Sequence, residues 1–197
     1  MGITGGIATG KSSVTKLLSE FIPSTVFDAD DYSRKLLTQD PEVQSEVRQH
    51  FGGNAFTADG TPNRPFLRDL VFNDPAKLKV LEGILHPRIR ECWTRLAAVA
   101  KNGDDWLMVD IPLLFETDAA SFFTKIVVVG CSLENQIRRL VELRNLSREI
   151  ASKIIGAQFE LRLKMGKAEH VIWNEGSLSC LEEQTILLAR ALSVKAG

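Results

Sequence analysis

The segment Gly5-Gly6-Ile7-Ala8-Thr9-Gly10-Lys11-Ser12 follows the short run Gly2-Ile3-Thr4 and leads straight into an amphipathic stretch. Glycines let such a backbone curl until successive N–H groups point inward, and a following helix adds the positive end of its dipole. That combination cradles phosphate oxygens. In the pattern GxxxxGKS the lysine, here Lys11, places a cation on the outer phosphates, and the hydroxyl, here Ser12, ligates magnesium. Residues Lys11 to Phe21 carry Val14, Leu17, Leu18 and Phe21 on one helical face, as the helix behind such a loop requires. The first expectation is therefore a nucleoside triphosphate site at the edge of a parallel sheet.

The rest of the chain agrees with that frame. Short β-branched runs alternate with longer helical patterns, the signature of a parallel sheet with crossover helices. Thr25-Val26-Phe27 reads as a second strand ending at Asp28-Ala29-Asp30, with a helix starting near Asp31. Trp106 to Asp110 and Lys125 to Val129 are buried strands, Val171 to Trp173 a last short one, and Leu178 to Leu192 a closing helix. Residues 31–103 read as mainly helical, with Pro41, Pro75 and Pro87 each suited to the first turn of a helix. Residues 133–168 are helical and rich in charge. The expected architecture is an α/β phosphate-loop fold, a parallel five-stranded sheet with helices on both faces. Residues 1–30, 104–133 and 169–197 would form the core, 31–103 a helical substrate-binding region and 134–168 a lid.

Composition narrows the partners. With 24 Lys and Arg against 25 Asp and Glu the net charge is −1, so nothing favours nucleic acid or a membrane surface. No apolar run approaches the roughly 18 residues that span a bilayer. Cys92, Cys131 and Cys180 are far apart and lack CxxC spacing, which speaks against a disulfide framework or zinc site and for a reducing cytoplasm. Trp93, Trp106 and Trp173 read as core residues.

Many activities share a phosphate loop, so the acceptor must be read elsewhere. Residues two apart on an extended segment share a face, so Asp28 and Asp30 could both reach the site, one taking a proton from an attacking hydroxyl and the other holding magnesium. Either could equally cap the next helix. Asp110, after four apolar residues, suits a metal-associated carboxylate, though any buried strand can end in an aspartate; no acid follows it, which argues against an ATPase that activates water. Arg138, Arg139, Arg144, Arg148, Lys153, Arg162 and Lys164 lie in the segment read as a lid, where cations could close over a transferred phosphoryl group or form a solvated face. His86 taken alone reads as structural.

Together these residues resemble the dephospho-coenzyme A kinase family over nearly the whole chain. The resemblance rests on Thr4 to Ile7 running into Gly10-Lys11-Ser12, and on Asp28-Ala29-Asp30 with Arg34 behind it. It continues through Phe51-Gly52, Asp59-Gly60, Arg64, Leu67-Arg68 and Val71-Phe72 to His86-Pro87-Arg88-Ile89-Arg90. Pro112-Leu113-Leu114-Phe115-Glu116 is among its most distinctive parts, and Gln136, Arg139, Gln158, Ala168 and Asn174 complete it. The resemblance implies transfer of the ATP γ-phosphoryl group to the ribose 3′-hydroxyl of dephospho-CoA, with ATP and Mg2+ as cofactors. Asp30 would be the base with Thr4 close by, and Lys11 and Arg139 would stabilise the moving phosphoryl group. Nucleotide contacts would run from Gly5 to Ser13, with Asn174 near the adenine, and Ser12 and Asp28 would serve the metal. Arg34, His86, Arg90 and Leu113 would form the acceptor region; Arg64 and Arg68 would meet its phosphates or brace the helices.

The chain departs from the family pattern in four places. Ala8-Thr9 stands where Gly-Ser is usual, so a positive φ at position 8 would cost alanine about 1 kcal/mol. Glu169-His170 replaces Ala-Asp, Asn63 replaces the aspartate that often precedes Arg64, and the first strand is two or three residues shorter. Related kinases acting on nucleotides, shikimate or sugar acids are the nearest alternative, but an adenylate-kinase-type loop carries GKG. A regulatory GTPase would need NKxD, which is not in the sequence.

Overall fold

The structure is a computed structural model that describes residues 1–100 and 105–193, without the side chains of Phe72 and Ala100. Its contacts divide the chain into one unit of residues 1–28 with 100–197 and another of residues 29–99. The boundary expected at 103–104, like residues 194–197, lies outside the described residues.

In the first unit β1 (Gly2–Gly5), β2 (Ser24–Asp28), β3 (Trp106–Asp110), β4 (Ile126–Gly130) and β5 (His170–Trp173) form one sheet. All pairs are parallel, in the order β2-β3-β1-β4-β5. The loop leaving β1 therefore opens at the middle of the sheet's carboxyl edge, where α/β folds bind ligands.

Every residue of β4 is buried, and the period of two sends alternate side chains to opposite faces. Val127 and Val129 join α1 (Lys11–Phe21) and α9 (Leu178–Ser193) in one core, through Val14, Leu18, Leu181 and Leu188. Ile126 and Val128 join the second core, with Leu114, Phe115 and Ala119, against which Leu161 and Met165 pack. Both faces of the sheet are thus covered, as a parallel sheet demands. Phe21, expected on the apolar face of α1, is exposed because it ends the helix past the core. Trp93 is buried as expected; Trp173 is not, standing 40% exposed at the end of the edge strand. Glu169 uses its carboxylate locally, accepting from the Ile126 amide at 2.6 Å and tying the start of β5 to β4.

Helices α6 (Leu133–Arg144), α7 (Arg148–Gly156) and α8 (Leu161–Met165) follow β4. Ser132 and Ser147 cap the first two by accepting from Asn135 and Ile150 amides. Asn145 ends α6 in the left-handed conformation that asparagine tolerates.

The second unit is helical, with α2 (Ala29–Gln39), α3 (Pro41–Phe51), α4 (Arg64–Asn73) and α5 (Pro75–Ala100). Asp40 and Asp74 accept from the first-turn amides of α3 and α5, next to the prolines Pro41 and Pro75. Asn63 caps α4 by accepting from the Phe66 amide at 3.3 Å, a role an aspartate would fill equally. Pro87 contradicts its expected place: it lies inside α5, not in a first turn. An interior proline removes a hydrogen bond and costs about 3 kcal/mol. Ile84, Leu85, Ile89 and Trp93 are buried on either side of it, and that packing outweighs the loss. No described helix is long and apolar enough to cross a membrane.

Candidate active site

Two residues show why the loop after β1 needs this sequence. Gly10 has φ 92, and a Cβ there would lie 2.1 Å from Asn174 Nδ2, so neither backbone nor space admits a side chain. Ala8 has φ 59, the left-handed region anticipated for that position. A non-glycine residue there costs about 1–2 kcal/mol, while glycine gives back about 0.5–1 kcal/mol through the freer unfolded chain. Ala8→Gly should therefore raise stability by up to about 1 kcal/mol, a gain of about 2–4 °C in Tm by thermal denaturation. A lower Tm would mean that unfolded-chain entropy dominates at this position.

The loop gathers several of the expected site residues. Ser12 and Ser13 are exposed in the first turn of α1, where amides and hydroxyls face a ligand. Lys11 forms an ion pair with Asp110, whose other oxygen lies 3.4 Å from the Thr15 hydroxyl. Asp110 is paired in register with Ile3 on one side and Asp28 on the other. The Thr4 hydroxyl is fully buried and donates to the Pro112 carbonyl at 3.1 Å. Arg139 donates to the carbonyls of Ala8 (3.2 Å) and Asn174 (2.9 Å). Asn174 in turn donates to the Thr9 carbonyl at 2.8 Å. Both side chains expected at the nucleotide thus touch the loop's backbone. Burial pushes the Cys131 thiol up, against the opposing Arg139 beside it. Glu175 is held below the usual carboxylate range by hydrogen bonds from the Ser132 hydroxyl and amide, which anchors the start of α6.

Asp28 and Asp30 do not share an extended face. The strand ends at Asp28 and the helix begins at Ala29, so Asp28 precedes α2 at its cap position and Asp30 lies within the first turn. Periodicity of two fails there because the backbone changes from strand to helix between the two acids.

Asp30, Arg34, Arg64, His86 and Arg90 belong to the unit of residues 29–99, whereas Leu113 belongs to the first. Arg34 pairs with Asp31 at 3.2 Å on the surface, and Arg64 opens α4. Burial pushes the His86 imidazole below its ordinary value; Glu82 opposes that and Arg90 adds to it.

The charged segment divides by burial. Arg138, Arg148 and Lys153 pair with Glu142, Glu134 and Glu149 on the exposed surface. Lys164 is fully buried instead, 2.6 Å from Glu116 Oε1 and within 3.3 Å and 3.5 Å of the Pro112 and Gly5 carbonyls. Charge content alone misses this lysine. Gln136 and Gln158 are also drawn to the loop, and only Gln136 left a local sign, a polar residue four before Leu140 on the buried face of α6.

Comparison with known proteins covers far more than the loop. A model of the family described as dephospho-CoA kinase matches residues 1–179. The dephospho-CoA kinase of Carboxydothermus hydrogenoformans is 38% identical over 189 residues, 95% of this chain and 91% of that one. A crystal structure from Thermus thermophilus is similar with a TM-score of 0.80 at 31% identity, covering 100% of this chain and 97% of its own. The dephospho-CoA kinase of Campylobacter jejuni shares the fold, with a TM-score of 0.72 at 24% identity over 98% and 96% of the two chains. Because the match runs through both units, and not only through a loop that unrelated phosphate-binding proteins also carry, the chain belongs to the dephospho-CoA kinase family.

Proposed function

We propose that this chain phosphorylates the ribose 3′-hydroxyl of dephospho-CoA with ATP, giving CoA and ADP, the last step of coenzyme A biosynthesis. The observation that carries this reading is the family match over residues 1–179, supported by a phosphate loop with the required backbone shape.

Phosphoryl transfer asks for positioning and charge neutralisation more than for covalent chemistry. Inward amides of the loop and the first turn of α1 bind the phosphates, and Lys11 leaves Asp110 for the outer phosphate oxygens. Arg139, already on the Ala8 carbonyl, adds a second cation at the loop. Asp30 takes the proton of the acceptor hydroxyl, and His86, Arg90, Arg34 and Arg64 serve the acceptor side. Residues 134–168 act as a lid that excludes water.

The donor set fits magnesium, with the Ser12 hydroxyl and the Asp110 and Asp28 carboxylates, all hard oxygens, at the sheet's carboxyl edge. Among the described residues no group of three or more His, Cys, Asp or Glu could hold a metal by itself. That agrees with an ion that takes other ligands from phosphate and water. When bound, magnesium would neutralise charge between the outer phosphates.

With ATP, magnesium and dephospho-CoA together, ADP and CoA should accumulate in equal amounts, with little ADP when the acceptor is omitted. A coupled ADP assay with chromatographic detection of CoA checks this. Equal turnover of AMP or shikimate, or none of dephospho-CoA, would overturn the assignment.

A further inference from the structure

Each backbone carbonyl from Gly5 to Gly10 has a donor. Lys164 serves Gly5 at 3.5 Å, the Thr9 hydroxyl serves Gly6 at 2.9 Å, and Gln136 Nε2 serves Ile7 at 2.7 Å. Arg139 serves Ala8, Asn174 serves Thr9, and the Ser13 and Val14 amides serve Gly10. In a planar trans peptide the carbonyl and the following N–H point in opposite directions. The held carbonyls of Ile7 and Thr9 therefore turn the amides of Ala8 and Gly10 inward, where phosphate would meet them, whereas the Ile7 amide is taken by Gln158 and the Thr9 amide by the Gly6 carbonyl. The amides of Ala8 and Gly10, which follow the held carbonyls of Ile7 and Thr9, have no partner among the described residues.

Ile7 is gripped on both sides. Its carbonyl accepts from Gln136 and its amide donates to Gln158 Oε1 at 2.9 Å. Backbone chemistry fixes which end of each glutamine faces the loop: a carbonyl can only accept and an amide N–H can only donate. Gln136 is 3% exposed, and the missing side chain of Gly6 makes room for it, since a Cβ there would lie 2.5 Å from its Nε2. The Ile7 and Ala8 side chains pack against the apolar cluster of Ile137, Leu140 and Ala151, which seats the same turn.

We propose that Gln136 and Gln158 are positioning residues of the nucleotide site. Gln136, by holding the Ile7 carbonyl, turns the Ala8 amide toward phosphate; Gln158, by holding the Ile7 amide, fixes the preceding peptide in the opposite sense, and together they tie the loop's shape to the helical segment after β4. The proposal rests on the reading that this loop binds ATP, and its test separates the two.

The test uses the opposite demands at the two positions. Calorimetry with ATP and magnesium, without acceptor, is run on the full chain and on Gln136→Leu, Gln136→Glu, Gln158→Leu and Gln158→Glu. Loss of a buried hydrogen bond should weaken ATP binding by about tenfold in each leucine variant. At position 158 glutamate still accepts, so Gln158→Glu should recover much of the loss. At position 136 glutamate faces a carbonyl with no donor, so Gln136→Glu should bind more weakly than Gln136→Leu. The KM for ATP should follow these affinities while the KM for dephospho-CoA moves less than about twofold. The same order of glutamate and leucine at both positions overturns the proposal. So do ATP affinities near wild type in all four variants, even if their melting temperatures fall, because that is the mark of a structural role alone. If Gln136→Glu does not fold, the order at position 158 decides. A wild-type chain that binds no ATP would instead overturn the function on which the proposal stands.

Discussion

Asp30→Asn should lower kcat by about two orders of magnitude or more while ATP still binds, because asparagine keeps the shape of the side chain but cannot take a proton. Its place in the fold makes the result decisive. Asp30 lies in the first turn of α2, where a side-chain carbonyl or carboxylate can equally accept from backbone amides. If Asp30 served only the helix, asparagine would do the same work and turnover would be near normal. A positioned general base contributes about 10²–10⁴ in rate, so the two roles differ by far more than assay error. ADP release at saturating ATP and dephospho-CoA gives kcat, and calorimetry on the same variant checks the nucleotide site. A fall in kcat with unchanged ATP affinity assigns the carboxylate to the acceptor hydroxyl; a fall in both would instead indicate a disturbed fold.

The parts legible in the sequence are those whose physics is local. A phosphate loop announces itself because φ at Gly10, a cation at Lys11 and a hydroxyl at Ser12 lie within three consecutive positions. The strain at Ala8 was foreseeable for the same reason. Strand β4, buried at every residue, and the second half of β3 from Met108 on are apolar runs with both faces covered, so their burial follows from composition. What escaped depended on a change of backbone or on distant partners. A strand's period places Asp28 and Asp30 on one face, but the chain turns helical between them. Pro87 reads locally as a helix start, and only the packed residues on both sides of it carry α5 through. Arg139 and Asn174 were matched by resemblance, yet the atoms they hold are loop carbonyls over a hundred positions away. Lys164 stood in a run of cations with nothing nearby to distinguish it, because its partner Glu116 comes from the segment after β3.

That buried pair carries the largest stability effect. The Lys164 side chain is 0% exposed and that of Glu116 13%. The ammonium group is 2.6 Å from Glu116 Oε1, which also accepts from the Phe159 amide. Glu116 Oε2 is buried with no hydrogen-bond partner among the described residues. Replacing Lys164 by methionine removes the cation and leaves the carboxylate in a poorly solvated place, with the Gly5 and Pro112 carbonyls losing a donor as well. Breaking one side of a buried ion pair costs about 3–5 kcal/mol, and for a chain of this size Tm falls by about 2–4 °C per kcal/mol. Lys164→Met should therefore melt about 6–20 °C below wild type. Desolvation, not attraction, causes most of that loss, so removing the second charge should reverse it. The double variant Lys164→Met with Glu116→Gln should regain more than half of the lost Tm, giving a coupling of about 2 kcal/mol in a double-mutant cycle. Additive losses in the double variant would mean that the two charges do not depend on each other. A recovered Tm with ATP affinity still weakened would separate the two functions of Lys164, since methionine restores packing but cannot donate to the Gly5 carbonyl at the root of the phosphate loop.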